Sequence, residues 1–129
     1  MTVEQIKDEV IGYLKTIETF DRDSSQDGQA LYYYLIDLTN IGARVNYLKV
    51  EYNRSWRKSK KDAYLRLTAS THSTQQYFAP SLAKDYVDAC CSESAYMYEI
   101  CDRCAAQVVH TIDAVRTIIS SLKSERQFA

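Results

Sequence analysis

Apolar residues recur along this chain at steps of three and four, the spacing that places side chains on one face of an α-helix. Over residues 2–20 the pattern runs through Val3, Ile6, Val10, Leu14 and Ile17, and Thr2 with Gln5 has the spacing of a capping box. Residues 21–28, Asp-Arg-Asp-Ser-Ser-Gln-Asp-Gly, are polar and unpatterned and read as a loop ending in Gly28. A second and much longer helical pattern extends from about Gln29 to Ala69. Its apolar positions are Leu31, Leu35, Leu38, Ile41, Val45, Leu48, Tyr52 and Trp56. Their mean step is about 3.5 residues, the period of a coiled-coil seam. Gly42 falls inside that seam, weakening the helix by about 1 kcal/mol against Ala and marking a close crossing.

Residues 70–80, Ser-Thr-His-Ser-Thr-Gln-Gln-Tyr-Phe-Ala-Pro, are rich in hydroxyls and amides and form the long connection. Ser81 then serves as N-cap of a third helix running to about Lys123. Its seam holds Val87, Cys91, Met97, Cys101, Cys104, Val108, Ile112, Val115, Ile119 and Leu122. Some forty helical residues span about 60 Å, whereas a compact chain of this length is only about 30–35 Å across. The two long helices therefore pair. The fold expected is all-α, a short N-terminal helix plus a long antiparallel helical hairpin with coiled-coil-like seams, in a single domain over 1–129. Leu38, Val45, Val108 and Ile119 exceed what a thin hairpin covers, which predicts a homo-oligomer.

With 129 residues the chain is about one domain long. Three Gly and one Pro are too few for the turns of an all-β protein. Gly12, Gly28 and Gly42 are isolated, so no glycine-rich phosphate loop is present. The two histidines, His72 and His110, leave little for His-based catalysis. His110 and Asp113 lie one turn apart but have no third group beside them, and read as a surface or inter-helix hydrogen bond. The opening residues mix charges and no apolar run approaches a membrane span, so the expected setting is cytoplasmic, with reduced thiols and no membrane partner. Cys101-Asp-Arg-Cys104 has CxxC spacing but no second pair and no His at finger spacing; it fits buried cysteines filling a seam better than zinc or redox chemistry. No enzyme, cofactor or metal is expected.

Charge changes the picture. Residues 1–43 hold three basic and eight acidic side chains (−5), residues 44–66 eight and two (+6), and residues 67–129 five and seven (−2). Arg54, Arg57, Lys58 and Lys61 stand at i, i+3, i+4 and i+7, on one stripe roughly opposite the Val45–Tyr52–Trp56 seam. Tyr47 falls on the same side and Tyr64 on its flank. Cations that track phosphates beside rings that stack on bases form a single-stranded nucleic-acid surface. The alternative is a solvated stripe paired with the acidic first helix. Eleven tyrosines are many for this length. Tyr32, Tyr33 and Tyr34 cannot all enter one seam, so at least one faces another subunit or solvent.

Three stretches carry a family resemblance. Trp56-Arg57-Lys58-Ser59-Lys60-Lys61-Asp62-Ala63-Tyr64-Leu65 is similar to a W-R-x-x-K-x-x-A-Y stretch of small phage proteins. Ser81-Leu-Ala-Lys-Asp-Tyr-Val-Asp88 and Asp113-Ala-Val-Arg116-Thr-Ile-Ile-Ser120-Ser-Leu-Lys123 continue it, so that it covers roughly residues 44–125. In these the chain resembles the UvsY-like recombination mediator proteins of tailed phages; the acidic first helix is not part of the likeness. The resemblance implies an oligomeric, non-enzymatic helical protein in the host cytoplasm. Such a protein binds single-stranded DNA and loads a recombinase onto strands covered by single-strand-binding protein. Carried over by position, the DNA-binding role falls on the basic stretch from Arg54 to Arg66, including Lys60, and recombinase contacts have no counterpart. The competing reading is a protein-only adaptor or inhibitor whose acidic and tyrosine-rich surfaces bind a host or phage protein.

Overall fold

The computed structural model describes residues 1–19, 28–74 and 79–128. Every regular element among them is an α-helix: α1 (Val3–Glu18), α2 (Gly28–Thr74), α3 (Pro80–Cys90) and α4 (Ser92–Phe128). The polar stretch expected to be a loop lies outside the described residues except for Gly28, which opens α2. Residues 75–78 of the expected connection also lie outside them. The all-α hairpin architecture is as the periodicity implies, and the helices group into two compact units, 1–47 with 101–129 and 48–100.

In the first unit α1 starts as its sequence dictates. The Thr2 backbone N–H donates to Gln5 Oε1 at 2.8 Å, and the Gln5 N–H donates to Thr2 Oγ1 at 3.2 Å, so two donors without helical partners are satisfied reciprocally. Val10 and Ile17 of α1 are buried with Leu31, Tyr34, Leu38, Ile41 and Val45 of α2 and with Cys101, Cys104, Val108, Val115 and Ile119 of α4. The α2 and α4 segments run antiparallel. Gly42 lies against Val108, while the start of α2 lies beside Arg126 near the end of α4. A Cβ at Gly42 would stand 3.1 Å from Val108 Cγ1, the close crossing that its place in the seam implied. Tyr34 is the buried member of its tyrosine triplet, and its hydroxyl donates to the Ile17 carbonyl at 3.3 Å near the end of α1.

This three-helix packing corrects the reason given for self-association. Leu38, Val45, Val108 and Ile119 are between 0% and 8% exposed in one chain. The first helix supplies the third side of the core, so the seam needs no second copy to cover it.

In the second unit Leu48, Ala63, Val87, Cys91 and Met97 are buried, and Trp56 packs against Ala63, Val87 and Cys91. Its ring lies 5.7 Å from that of Tyr98, tilted by 30°. Ser55 and Ser94 hydroxyls meet at 3.4 Å. Three sequence expectations are corrected here. The second helix continues past Ala69 to Thr74. The N-cap of the next helix is Ala79 rather than Ser81; Pro80 takes the first helical position, where its fixed φ fits and its missing N–H is not needed. The third helix is also two helices. Cys91, at φ −106° and ψ 5°, donates its N–H to both Val87 O (3.1 Å) and Asp88 O (3.3 Å), which tightens the turn and ends α3. The Cys91 carbonyl still accepts from Ala95 N–H at 2.9 Å, so the backbone hydrogen bonding bridges the break, and α4 itself runs beyond Lys123 to Phe128.

Candidate nucleic-acid interface

Six of the eight cations between residues 44 and 66 fall into three kinds. Arg44, in the first unit, is engaged. Its Nε donates to Glu9 Oε1 at 3.1 Å and Oε2 at 3.3 Å, and its Nη2 donates to Oε2 at 3.2 Å. Tyr13 donates its hydroxyl to the same carboxylate at 2.9 Å. Burial alone would raise the Glu9 carboxyl. The hydrogen bonds from Arg44 and Tyr13, with the Arg44 charge, outweigh it and hold the group below its ordinary value. The acidic first helix thus neutralises Arg44, which stands outside the Arg54–Lys61 stripe that the alternative reading pairs with it.

Lys60 is the second kind. It is half-buried, with its ammonium 4.0 Å from the centroid of the Trp56 ring one turn before it. A cation held over an indole is worth about 0.5–1 kcal/mol at a partly exposed site. Trp56 and Lys60 stand at i and i+4, a spacing from which the contact could have been read.

Arg54, Arg57, Lys58 and Lys61 are the third kind. All four are exposed on the face of α2 turned away from Ala63 and Trp56. Among the described residues none of them has an oppositely charged partner within ion-pair distance. The stripe covers about 10 Å of helix axis at 1.5 Å per residue. Tyr64, 50% exposed, stands on its flank. Val50 and Leu65, both more than half exposed, share the face with the four cations. Residue type alone assigns these two to the core, but their helical phase at about 100° per residue places them on this face. Arg66 is exposed but lies about a third of a turn away from the stripe, on the side of Cys91. Tyr47 belongs to the first unit, 59% exposed, with the Arg44 guanidinium 6.0 Å from its ring centroid. The structure therefore brings together Arg54, Arg57, Lys58, Lys61 and Tyr64 on one face of α2, and turns Lys60 and Arg66 away from it.

The cysteines fill the seam. Cys101 and Cys104 are fully buried, and burial pushes both thiols up to about 11, with the neighbouring Cys104 adding to the shift at Cys101. Cys91 is raised by burial and by the adjacent Cys90. Thiols held protonated in this way are poor nucleophiles and poor metal ligands. Among the described residues no helix is long and apolar enough to cross a membrane. The chain matches no family model, no curated protein and no solved structure.

Proposed function

We propose that this chain is a non-enzymatic, single-stranded DNA-binding protein that acts in the host-cell cytoplasm as a phage recombination mediator. The DNA-binding part of the reading is carried by one observation: four cations share an exposed face of α2 without an ion pair among the described residues. Like charges along about 10 Å of helix repel one another, and a polyanion relieves that repulsion while releasing its own counterions. Tyr64, Val50 and Leu65 supply ring and apolar surface against which unpaired bases can lie. Duplex DNA hides those base faces, so a single strand suits this surface better. The mediator role, with a recombinase and single-strand-binding protein as partners, rests on the resemblance of residues 44–125 to the UvsY-like proteins.

A fluorescently labelled single-stranded oligonucleotide titrated at low salt tests the binding. Replacing Arg57 and Lys61 together by Ala is expected to weaken the wild-type affinity about tenfold or more while leaving helicity intact, because both side chains are exposed. The second reading, a protein adaptor or inhibitor, draws on α3, where Leu82 and Tyr86 stand one turn apart and are 55% and 41% exposed. Wild-type protein that binds no oligonucleotide at low salt favours that reading.

A further inference from the structure

The outer face of the first half of α2 is apolar and uncovered. Tyr32, Ile36 and Tyr47 are 47%, 56% and 59% exposed, and Tyr33 beside them is 61% exposed. At about 100° per residue Tyr32, Ile36, Ala43 and Tyr47 fall within about 60° of one another, at heptad spacings. The stripe carries no charge: Asp37 projects about a quarter-turn away, and Arg44 is held by Glu9. Two of the polar groups along it are satisfied within α2. The Thr39 hydroxyl donates to the Leu35 carbonyl at 2.8 Å, leaving its methyl outward, and Gln29 Nε2 donates to the Tyr33 hydroxyl at 3.4 Å. Among the described residues the stripe itself offers no charged side chain to an acidic or basic partner, and Arg126 borders it only at the Tyr32 end.

We infer that this face pairs with the same face of a second copy of the chain, the two α2 helices running antiparallel about a two-fold axis between Thr39 and Asn40. That register sets Ile36 opposite the other copy's Ala43, a large side chain against a small one, twice by symmetry. It also sets Tyr32 opposite the other copy's Tyr47. At the Tyr32 end lies an open cavity of about 520 Å³, lined by Gly28, Gln29, Tyr32, Tyr33, Ile36 and Arg126. At the other end the Tyr47 ring projects. In the pair each Tyr47 fills the opposite cavity, beside the Arg126 guanidinium, a cation–π arrangement.

The area is sufficient. Taking about 200 Å² for a whole aromatic side chain, the four large residues expose roughly 450 Å² per copy. Both copies with the small residues between them then bury about 1,000 Å² or more, the lower limit of a specific interface, consistent with dissociation on the order of micromolar. Only residues outside the cationic stripe take part, so the inference stands apart from the nucleic-acid reading.

Sedimentation equilibrium of the full chain without nucleic acid, at tens of micromolar, is the test. The wild type is expected at twice the 14.9 kDa chain mass. Ile36→Glu, which sets a carboxylate against an apolar surface, and Ala43→Lys should each give the single-chain mass with unchanged circular dichroism. The double variant I36E/A43K should recover the dimer, since each new carboxylate then faces a new ammonium on the other copy. A wild type at the single-chain mass, a dimer that survives Ile36→Glu, or a folded double variant that stays single overturns the inference. None of these results bears on the Arg57–Lys61 stripe, whose failure would appear only in the oligonucleotide titration.

Discussion

Cys101 and Cys104 show how far burial alone sets a side chain's chemistry. Their thiols ionise at about 11 in the folded chain against an ordinary value of 9.0. Below about pH 9 both states hold the protons and the fold is unaffected. Between about 9 and 11 the unfolded chain releases protons that the folded chain retains, so stability falls with rising pH by about 1.4 kcal/mol per unit for each thiol. Urea unfolding at about pH 8 and about pH 10 should show this loss, and Cys101→Ala with Cys104→Ala should flatten it while lowering stability at both values through the cavities left. An equal pH dependence in the two proteins would assign the loss to other groups. Tyr47 is decided at the same scale. Its ring can stack on a base or fill the opposite copy's cavity. The pairing of the α2 faces predicts that Tyr47→Ala lowers the mass seen by sedimentation and leaves oligonucleotide affinity per chain within about twofold of wild type. A stacked base would instead weaken binding by about 1–3 kcal/mol without changing the mass.

The helices respond differently to the same substitution according to what surrounds them. Gly12 of α1 has open space where a Cβ would go, so Gly12→Ala should stabilise the chain by about 0.5–1 kcal/mol through helix propensity. Gly42→Ala brings the same gain but forces a methyl to 3.1 Å from the buried Val108. Overpacking costs about 1–3 kcal/mol, so the net effect should be a loss, which thermal unfolding of the two variants would separate. Much of the element structure was legible in the sequence. The Thr2–Gln5 box, the ten-position seam of the C-terminal half and the crossing at Gly42 all follow from spacing, because spacing is what a helix face is. What covers a face does not follow from spacing. The seam's surplus of apolar residues pointed to a second copy, when α1 was available within the chain. The break at Cys91 is marked by neither Gly nor Pro; its one sign in the sequence is the six-residue step from Cys91 to Met97, in a seam that otherwise steps by three or four. The stripe from Arg54 to Lys61 was legible as charge and period. Its apolar companions Val50 and Leu65 were not, because residue type alone assigns them to the core.

At the scale of the whole molecule, a net charge of −1 conceals a segment of +6 in an otherwise acidic chain. Only the cations left without internal partners can act outward, and Arg44 and Lys60 show that some of the eight are spent within the fold. Under the proposed function Arg54, Arg57, Lys58 and Lys61 meet phosphates. Its most direct test is the salt dependence of single-stranded DNA binding, measured for the wild type and for R57A/K61A. Each phosphate contact on a single strand contributes a log–log slope of about −0.7, so four contacts predict roughly −3 for the wild type and a slope shallower by about 1.4 for the double variant. A wild-type slope near zero, or the same slope in both proteins, would contradict the account.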